Sequence, residues 1–198
     1  SADRVKVANY EFSWGAVFDD FNLDGRPDLV VSENFVGFPP HRFEFLRLPC
    51  RFMIQNTQGE FAAVGAEAGV VNKRYGIAPL TADFNLDGAP DLVHVNLAGA
   101  SQAFLSKSAP THYVKVKLPN TVHSIGAMVH AKLSDGRTLH RPFVKGEGLC
   151  SDSTPIITLG TGGAEVTELS VAYLGKKAVG CPAPKLGSTV VAPAPPAK

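Results

Sequence analysis

The sequence has no long apolar run and no excess of charge of one sign. None of its uninterrupted apolar stretches approaches the ~20 residues that a membrane-spanning helix needs. Nineteen basic and 18 acidic residues give the 198-residue chain a formal net charge of +1. Because nucleic-acid-binding surfaces are usually strongly basic, a nucleic acid is not the expected partner.

Cysteine is scarce, and three residues neither prove nor exclude an oxidising compartment. Cys150 and Cys181 bracket the last predicted strands, and a bridge between them would contribute roughly 3–4 kcal/mol by closing a loop of about 30 residues. The alternative is three free thiols in a reducing compartment, and Cys50 has no evident partner. The chain begins at Ser1 rather than methionine, which a cleaved signal peptide, an internal cut or a cloning boundary would each explain.

The common catalytic and nucleotide-binding motifs are also missing. The sequence contains no Gly-x-Ser-x-Gly, His-Glu-x-x-His or Gly-x-x-x-x-Gly-Lys pattern. The glycine cluster at 160–163 is followed by neither a lysine nor a helical pattern, so we expect a turn there. We predict no enzymatic activity and assign no catalytic residue, although a triad dispersed along the chain would leave no such motif.

The residues that are abundant indicate an all-β protein with many turns. Hydrophobic residues make up 44% of the chain, with 19 glycines, 15 prolines and 12 phenylalanines. Short runs of β-branched and aromatic residues separated by glycine and proline are typical of strands and turns rather than helices.

An internal repeat dominates the first half of the chain. The segment DFNLDGRPDLV begins at Asp20 and recurs from Asp83 with a single difference, Ala89 in place of Arg26. We call residues 20–28 loop 1 and residues 83–91 loop 2. Such close identity is not expected by chance in two unrelated surface loops.

Each loop has the spacing Asp-x-Asn-x-Asp-Gly-x-x-Asp, which suits a calcium ion. Calcium prefers six to eight oxygen ligands, and the side chains at positions 1, 3, 5 and 9 of a tight loop converge on one point. Glycine at position 6 allows a sharp turn, and position 7 offers its carbonyl oxygen. The predicted metal ligands are Asp20, Asn22, Asp24, Arg26 and Asp28 in loop 1, and Asp83, Asn85, Asp87, Ala89 and Asp91 in loop 2.

Neither loop is expected to be an EF-hand. An EF-hand has glutamate at position 12 and a flanking helix on each side, whereas position 12 is Val31 in one copy and His94 in the other, both within β-type runs. The alternative is an acidic turn without metal, since Asp, Asn and Gly all favour turns. Three carboxylates within nine residues repel one another unless a cation intervenes, which favours two calcium sites.

Two segments between the loops, 51–54 and 60–64, are also predicted strands. About four short strands per ~60 residues is typical of one blade of a β-propeller. The longer segment 35–49 is predicted to be an aromatic-rich insert whose residues form either an exposed binding patch or packing at a blade rim; its aromatic residues are Phe35, Phe38, Phe43 and Phe45.

From about residue 111 the pattern changes to a second β-domain. The run 113–118 alternates with period two, and segments 127–133 and 137–144 flank a hairpin turn at Asp135-Gly136. The predicted organisation is two calcium-binding repeats at 1–110, a small β-sandwich-like domain at 111–181, and a disordered Pro/Ala-rich tail at 182–198.

Histidines offer one further metal hypothesis. His130 and His140 lie on the two arms of the predicted hairpin. A two-residue turn places their rings on opposite faces, whereas a three-residue turn places them directly opposite each other, where they would be able to share a metal. Surface histidines without a metal are the simpler interpretation, and His94 is expected to be a packed or rim residue rather than a ligand.

The two loops resemble the FG-GAP/VCBS repeats of integrin-type and bacterial extracellular β-propellers. The second half resembles the ASPIC/UnbV domain of the cartilage acidic protein family, through residues 124–129, 135–137, 145–149, 159–160 and 174–177. It departs from that family at 148–151 and 173–174. The resemblance implies a partial β-propeller of about two blades followed by an ASPIC/UnbV domain.

What this resemblance implies is a secreted, extracellular or periplasmic calcium-binding module for adhesion or assembly, acting through protein–protein or cell-surface contacts. The alternative is an accessory subunit of an extracellular enzyme complex whose active site lies on another chain. Closed propellers need four to eight blades, so a partner chain or the rest of a precursor is expected to supply the others. The first repeat has the shorter lead-in, and we expect its outer strands to be missing from this chain.

Overall fold

The computed structural model describes residues 5, 7, 13–33, 49–97, 99–107, 112–149, 151–152 and 154–196. These residues form an all-β fold, as the composition predicts, and contain no α-helix. No helix in these ranges is long and apolar enough to cross a membrane. The aromatic insert predicted at 35–49 lies almost wholly outside the described residues.

Fourteen strands and one turn of 3-10 helix, Val122–Ser124, make up the described structure. The strands are β1 (Ser13–Asp19), β2 (Asp28–Glu33), β3 (Arg51–Gln55), β4 (Phe61–Ala63), β5 (Gly76–Ala82), β6 (Asp91–Asn96), β7 (Gln102–Phe104), β8 (Tyr113–Lys117), β9 (Met128–Leu133), β10 (Thr138–Pro142), β11 (Ile156–Gly160), β12 (Val166–Ala172), β13 (Val179–Cys181) and β14 (Thr189–Val191).

The first sheet is an antiparallel meander of four strands in the order β1-β2-β3-β4. All six residues of β2 are buried, because both faces of the sheet are covered. Val30 faces a cluster with Val17 and Phe52, whereas Leu29 faces Met53 on the other side. A strand that is apolar on both faces is expected where a sheet packs between two layers.

The second sheet has three strands in the order β5-β6-β7 and packs against the first through β5, which contacts β1 and β2. Leu92 of β6 joins the apolar cluster formed around Val30 of the first sheet. The two sheets therefore share one core.

The expectation that the first repeat lacks outer strands is wrong for the described residues. Loop 1 joins β1 to β2, and β3 and β4 continue the same sheet through pairings such as Leu29 with Met53 and Met53 with Ala63. A tight turn closed by the amide of Asn56 and the carbonyl of Glu60 (2.8 Å) returns β4 onto β3. The segment between the loops thus completes the first sheet instead of leading into the second.

The second half of the chain forms two sheets, ordered β10-β9-β12-β13 and β11-β8-β14, that pack face to face. Alternate residues of each strand enter one shared core, as period-two patterning requires. The core is built from Val114, Val116, Leu118, Ala127, Val129, Ala131, Leu133, Leu139, Phe143, Leu159, Val166, Leu169, Val171, Tyr173 and Ala192.

The prediction of a disordered tail at 182–198 is wrong for the part that contains β14. Strand β14 pairs in parallel with β8, and the Tyr173 hydroxyl donates a hydrogen bond to the carbonyl of Pro193. Ala192 is 3% exposed within the core. Within this Pro/Ala-rich segment, residues 189–191 have the sequence Thr-Val-Val. These β-branched residues favour a strand, which pairs with the otherwise unpaired edge of β8.

The prediction of a bridge between Cys150 and Cys181 is not borne out by the structure. Cys181 is a free cysteine, and Cys150 lies outside the described residues. Cys50 is also free, and burial raises the pKa of its thiol. A thiol of raised pKa is a weak nucleophile, so Cys50 acts as a packed residue.

Substituting Ala192→Arg is expected to destabilise the chain by about 2 kcal/mol or more, because the long charged side chain would have to enter a filled core. Val191→Arg is the matched control, since Val191 is 69% exposed and its substitution should change stability by less than about 0.5 kcal/mol. Urea denaturation measures both variants. Equal effects would mean that the segment does not pack as described.

Candidate metal centre

Both acidic loops occupy the same place in their sheets. Loop 1 connects β1 to β2, and loop 2 connects β5 to β6. Each loop therefore lies at the same end of its sheet, between the first two strands. This placement agrees with the strand–loop–strand prediction.

In loop 1, the two buried aspartates bind backbone amides of the loop and of the neighbouring strand. The Asp20 carboxylate accepts hydrogen bonds from the N–H groups of Asp24 (3.0 Å) and Gly25 (2.8 Å). The Asp28 carboxylate accepts hydrogen bonds from the N–H groups of Phe21 and Gln55, each at 3.0 Å. Asp20 and Asp28 are 1% and 0% exposed, so these bonds fix the two ends of the loop.

The other two predicted side-chain ligands of loop 1 lie nearer the solvent. The Asn22 amide donates to the Asp24 carboxylate (2.9 Å), and the Asn22 carbonyl oxygen accepts from the Asp24 N–H (3.1 Å). The Arg26 N–H donates to the same Asp24 carboxylate (2.8 Å). The predicted ligands at positions 1, 3, 5 and 9 are thus tied into one small loop.

Loop 2 repeats these hydrogen bonds. Asp83 accepts from the N–H groups of Asp87 (3.1 Å) and Gly88 (2.9 Å), and the Asn85 amide donates to Asp87 (3.0 Å). Asp91 accepts from the N–H of Phe84 (2.8 Å). The same sequence has adopted the same geometry in two different sheets, so the geometry belongs to the motif itself.

The backbone of both loops is strained at equivalent positions. Leu23 and Leu86 have φ values of 57° and 62°, a left-handed conformation that bulky side chains rarely adopt. Gly25 and Gly88, two residues further on, have φ values of 92° and 102°, where glycine is needed. Strain of this kind persists only where the surroundings hold it, and it is typical of functional loops.

Burial disfavours ionisation of Asp20 and Asp28 in loop 1. Burial raises the pKa of Asp20 to about 6, against the opposing effect of the nearby Arg141 guanidinium. Burial, together with repulsion from Asp20 and Asp24, raises the pKa of Asp28 to about 7. Without an additional cation, the loop holds carboxylates whose charges are poorly compensated.

Three basic side chains supply part of the compensation. In loop 1, Arg26 forms an ion pair with Asp24, and a guanidinium nitrogen of Arg141 lies 3.8 Å from Asp20. In loop 2, the Lys115 ammonium forms an ion pair with Asp83. Each loop carries three carboxylates, so both keep an excess of negative charge.

The donor chemistry fits calcium, since the side chains at positions 1, 3, 5 and 9 present only carboxylate and amide oxygens. Within the described segments, no three His, Cys, Asp or Glu side chains are grouped as a ready-made metal cage. The carboxylate oxygens are instead turned towards loop amides, and calcium coordination requires them to converge further. The carbonyl oxygens of Arg26 and Ala89 remain predicted ligands.

Loop 1 is docked on the second half of the chain, which the sequence does not indicate. Three consecutive carbonyl groups, those of Leu23, Asp24 and Gly25, accept hydrogen bonds across this contact. Their donors are the N–H of Gly162 (2.8 Å) and the guanidinium groups of Arg137 (2.6 Å) and Arg141 (2.8 Å). A Cβ atom at Gly160 would overlap the Asp20 carboxylate, so this close approach requires glycine.

Loop 2 also contacts the second half, through strand β8. Lys115 of β8 contacts Asp83, and the Tyr113 ring lies so close to Gly88 that an added Cβ would overlap it. Both loops therefore stand at the boundary between the two halves of the chain.

The two loops differ in how their apolar residues are covered. Phe21 is 8% exposed and packs edge-to-face on Phe52 at 5.0 Å between ring centroids, whereas the equivalent Phe84 is 54% exposed. The strand register explains this difference, because the position of Phe52 is occupied by Ala103 in the second sheet. Leu86, the counterpart of the buried Leu23, is 85% exposed.

A cleft of about 540 Å³ lies beside loop 2 and is lined by residues of both halves of the chain. Apolar residues line most of it, including Phe18, Leu86 and Ile156, and Lys115 and Arg141 contribute polar groups. Clefts of this size and composition are typical of ligand or peptide contacts.

His94 is a packed residue, as predicted. It is 1% exposed, its Nδ1 atom lies 3.2 Å from the Ser32 hydroxyl, and burial lowers its pKa to about 4. The imidazole is therefore neutral at physiological pH and helps to join the two sheets.

No protein-family model matches this chain, and no curated protein matches it either.

Stabilisation by calcium is expected to increase as the pH rises from about 4 to about 7. A carboxyl group whose pKa is raised in the folded state stabilises the fold fully below its unfolded pKa, near 3.8. This stabilisation is lost as the pH rises through the folded pKa, which is about 6 for Asp20 and about 7 for Asp28. Bound calcium favours the charged carboxylates and removes this loss.

The measurement is the difference in melting temperature with calcium and with EDTA across this pH range. Titration of His94 changes the melting temperature equally with calcium and with EDTA, so its effect cancels when the two melting temperatures are subtracted. A difference that stays constant with pH would contradict the assignment of these carboxylates to a calcium site.

Proposed function

We propose that loops 1 and 2 each bind one calcium ion, and that the chain is a secreted interaction module stabilised by this calcium. The observation that carries the proposal is the twofold occurrence of one strained, acidic loop geometry in two separate sheets. A plain turn does not require a leucine in the left-handed region, whereas a loop that must direct four oxygen-bearing side chains to one point has a reason to keep it.

Calcium would have a structural role in this module. The proposed ligands begin β2 and β6, since Asp28 and Asp91 are the first residues of those strands. The same loops contact the second half of the chain, so a bound cation would fix the strand ends and the contact together. At 1 mM calcium and a dissociation constant of ~10 µM, one site contributes about 2.7 kcal/mol.

We further propose that the two N-terminal sheets are consecutive blades of a larger β-propeller of the FG-GAP/VCBS type, followed by an ASPIC/UnbV-like domain. Several features support this assignment. The first sheet is a four-stranded meander, its second strand is buried on both faces, and the next sheet packs against it through β5. Two blades do not close a propeller, so another chain or the rest of a precursor supplies the others.

The exposed apolar residues of loop 2, together with Phe18 of β1, support a role in assembly. Phe84, Leu86 and Phe18 are 54%, 85% and 55% exposed, and the latter two line the cleft. The equivalent residues of loop 1, Phe21 and Leu23, are covered. We assign this apolar surface to contact with the partner, because contiguous exposed apolar groups are typical of interaction sites.

Removal of calcium is expected to lower the melting temperature of the chain, and elemental analysis of the untreated protein should find two calcium ions per chain. Asp24→Asn and Asp87→Asn should each lose one ion, because each removes one carboxylate charge from one loop. Glu168→Gln is the matched control, since Glu168 is exposed on β12 and pairs with Lys132 of β9. The proposal fails if EDTA causes no shift and the protein contains no calcium.

The isolated chain is expected to associate in solution, because apolar faces and strand edges are left uncovered. Light scattering after size-exclusion chromatography should give a mass above 21.0 kDa. Leu86→Ser should reduce the association, whereas Leu174→Ser, which removes a leucine that is 80% exposed elsewhere, should not. A folded, monodisperse monomer of the original chain would rule out the propeller assignment.

A further inference from the structure

The hairpin formed by β9 and β10 brings two histidines together on its outer face. Residues 134–136 form a three-residue turn, closed by a hydrogen bond from the Leu133 N–H to the Arg137 carbonyl (2.8 Å). Gly136 has a φ value of 87°, as the last position of such a turn requires. This turn length sets the register of the strands and pairs His130 directly with His140.

The core fixes which side of the sheet the histidines occupy. Val129, Ala131 and Leu139 are buried in the core, and their neighbours in each strand point to the opposite face. His130 and His140 therefore stand on the outer face, where His140 is exposed and His130 is half-buried. The rings cannot exchange faces without moving the core residues to the solvent.

The two rings are close enough to share one ligand. Their Nδ1 atoms are 2.6 Å apart, and their ring centroids are 4.8 Å apart in an edge-to-face arrangement. At this distance the two nitrogens cannot both carry a proton, so at least one of them presents a lone pair. Burial and the charge of His140 lower the pKa of His130, which favours the neutral ring at neutral pH.

We propose that His130 and His140 form a binding site for a divalent transition-metal ion such as nickel or zinc. Imidazole nitrogens are preferred ligands for these ions, whereas calcium requires oxygen. Two nitrogens that each lie about 2.0–2.1 Å from a tetrahedral ion are about 3.3 Å apart. Small rotations of the two rings are enough to reach this separation from the present one.

The sheet leaves room for the remaining ligands of the ion. His130 also pairs with Ser170 of β12, and Ser170 pairs with Gly180 of β13, so the four residues form one row across the sheet. Gly180 has no side chain, and a Cβ atom placed there would meet nothing within 4 Å. Water or a side chain of a partner can complete the coordination, which makes this an open site. His140 also lines the cleft beside loop 2, and neither histidine is part of an acidic loop.

Titration calorimetry of nickel chloride into the untagged full chain tests the site. Excess calcium and prior alkylation of the thiols keep nickel from the acidic loops and the cysteines. The two histidines act as a chelate, because binding to one ring presents the ion to the other. His130→Gln and His140→Gln are each expected to weaken nickel binding at least ~10-fold, and the double variant should bind no more weakly than either single variant.

His123→Gln is the matched control, since His123 is exposed and stands in a different part of the fold. It should bind nickel as the original chain does. Melting temperatures without metal check that the variants remain folded, and nickel should raise the melting temperature only where both rings are present. If the original chain binds nickel no more tightly than His130→Gln and His140→Gln do, the proposal is overturned.

Discussion

Electrostatic repulsion inside the two acidic loops is the constraint to which much of the first half of the structure responds. Three carboxylates lie within nine residues of each loop, and the aspartates that open and close loop 1 are buried. Backbone amides, basic side chains and the adjoining half of the chain all approach these carboxylates. Each of these contacts compensates part of the negative charge, and the loop backbone is strained so that they can form.

This compensation also joins the two halves of the chain. Arg141 lies near Asp20 and donates to the Gly25 carbonyl, and Lys115 pairs with Asp83. The second half therefore serves as a source of positive charge for the first. A change in the charge of either loop would alter the contact between the halves, because Arg141 and Lys115 both compensate loop charge and form that contact.

Local pattern was sufficient to predict several of the strands and the acidic loops. The alternation around Tyr113 and the runs flanking Asp135 correspond to β8, β9 and β10, since period-two patterning reports directly which face is buried. The repeat predicted both loops because its Asp, Asn and Gly residues favour a tight turn through local conformation alone. The hairpin illustrates the limit, since one residue of turn length decided whether His130 and His140 would meet.

The sequence could not predict features that depend on distant partners. The segment between the loops looked like a lead-in to the second repeat, but the pairing of Met53 with Leu29 places it in the first sheet. The docking of loop 1 depends on Gly160, whose role is visible only when Asp20 lies beside it. Likewise, identical Phe21 and Phe84 differ in exposure because their cross-strand neighbours are Phe52 in one sheet and Ala103 in the other.

The parallel pairing of β14 with β8 has a consequence for the nascent chain. Thr189 pairs with Lys115, so one edge of β8 stays open until a further 74 residues have been synthesised. At about 5–20 residues per second, this interval lasts roughly 4–15 s. Lys115 and Lys117 place charge on β8 throughout it, and charged side chains discourage an open edge from pairing with another chain. The lysines of β8 are therefore expected to disfavour pairing of this edge with another chain before β14 is synthesised.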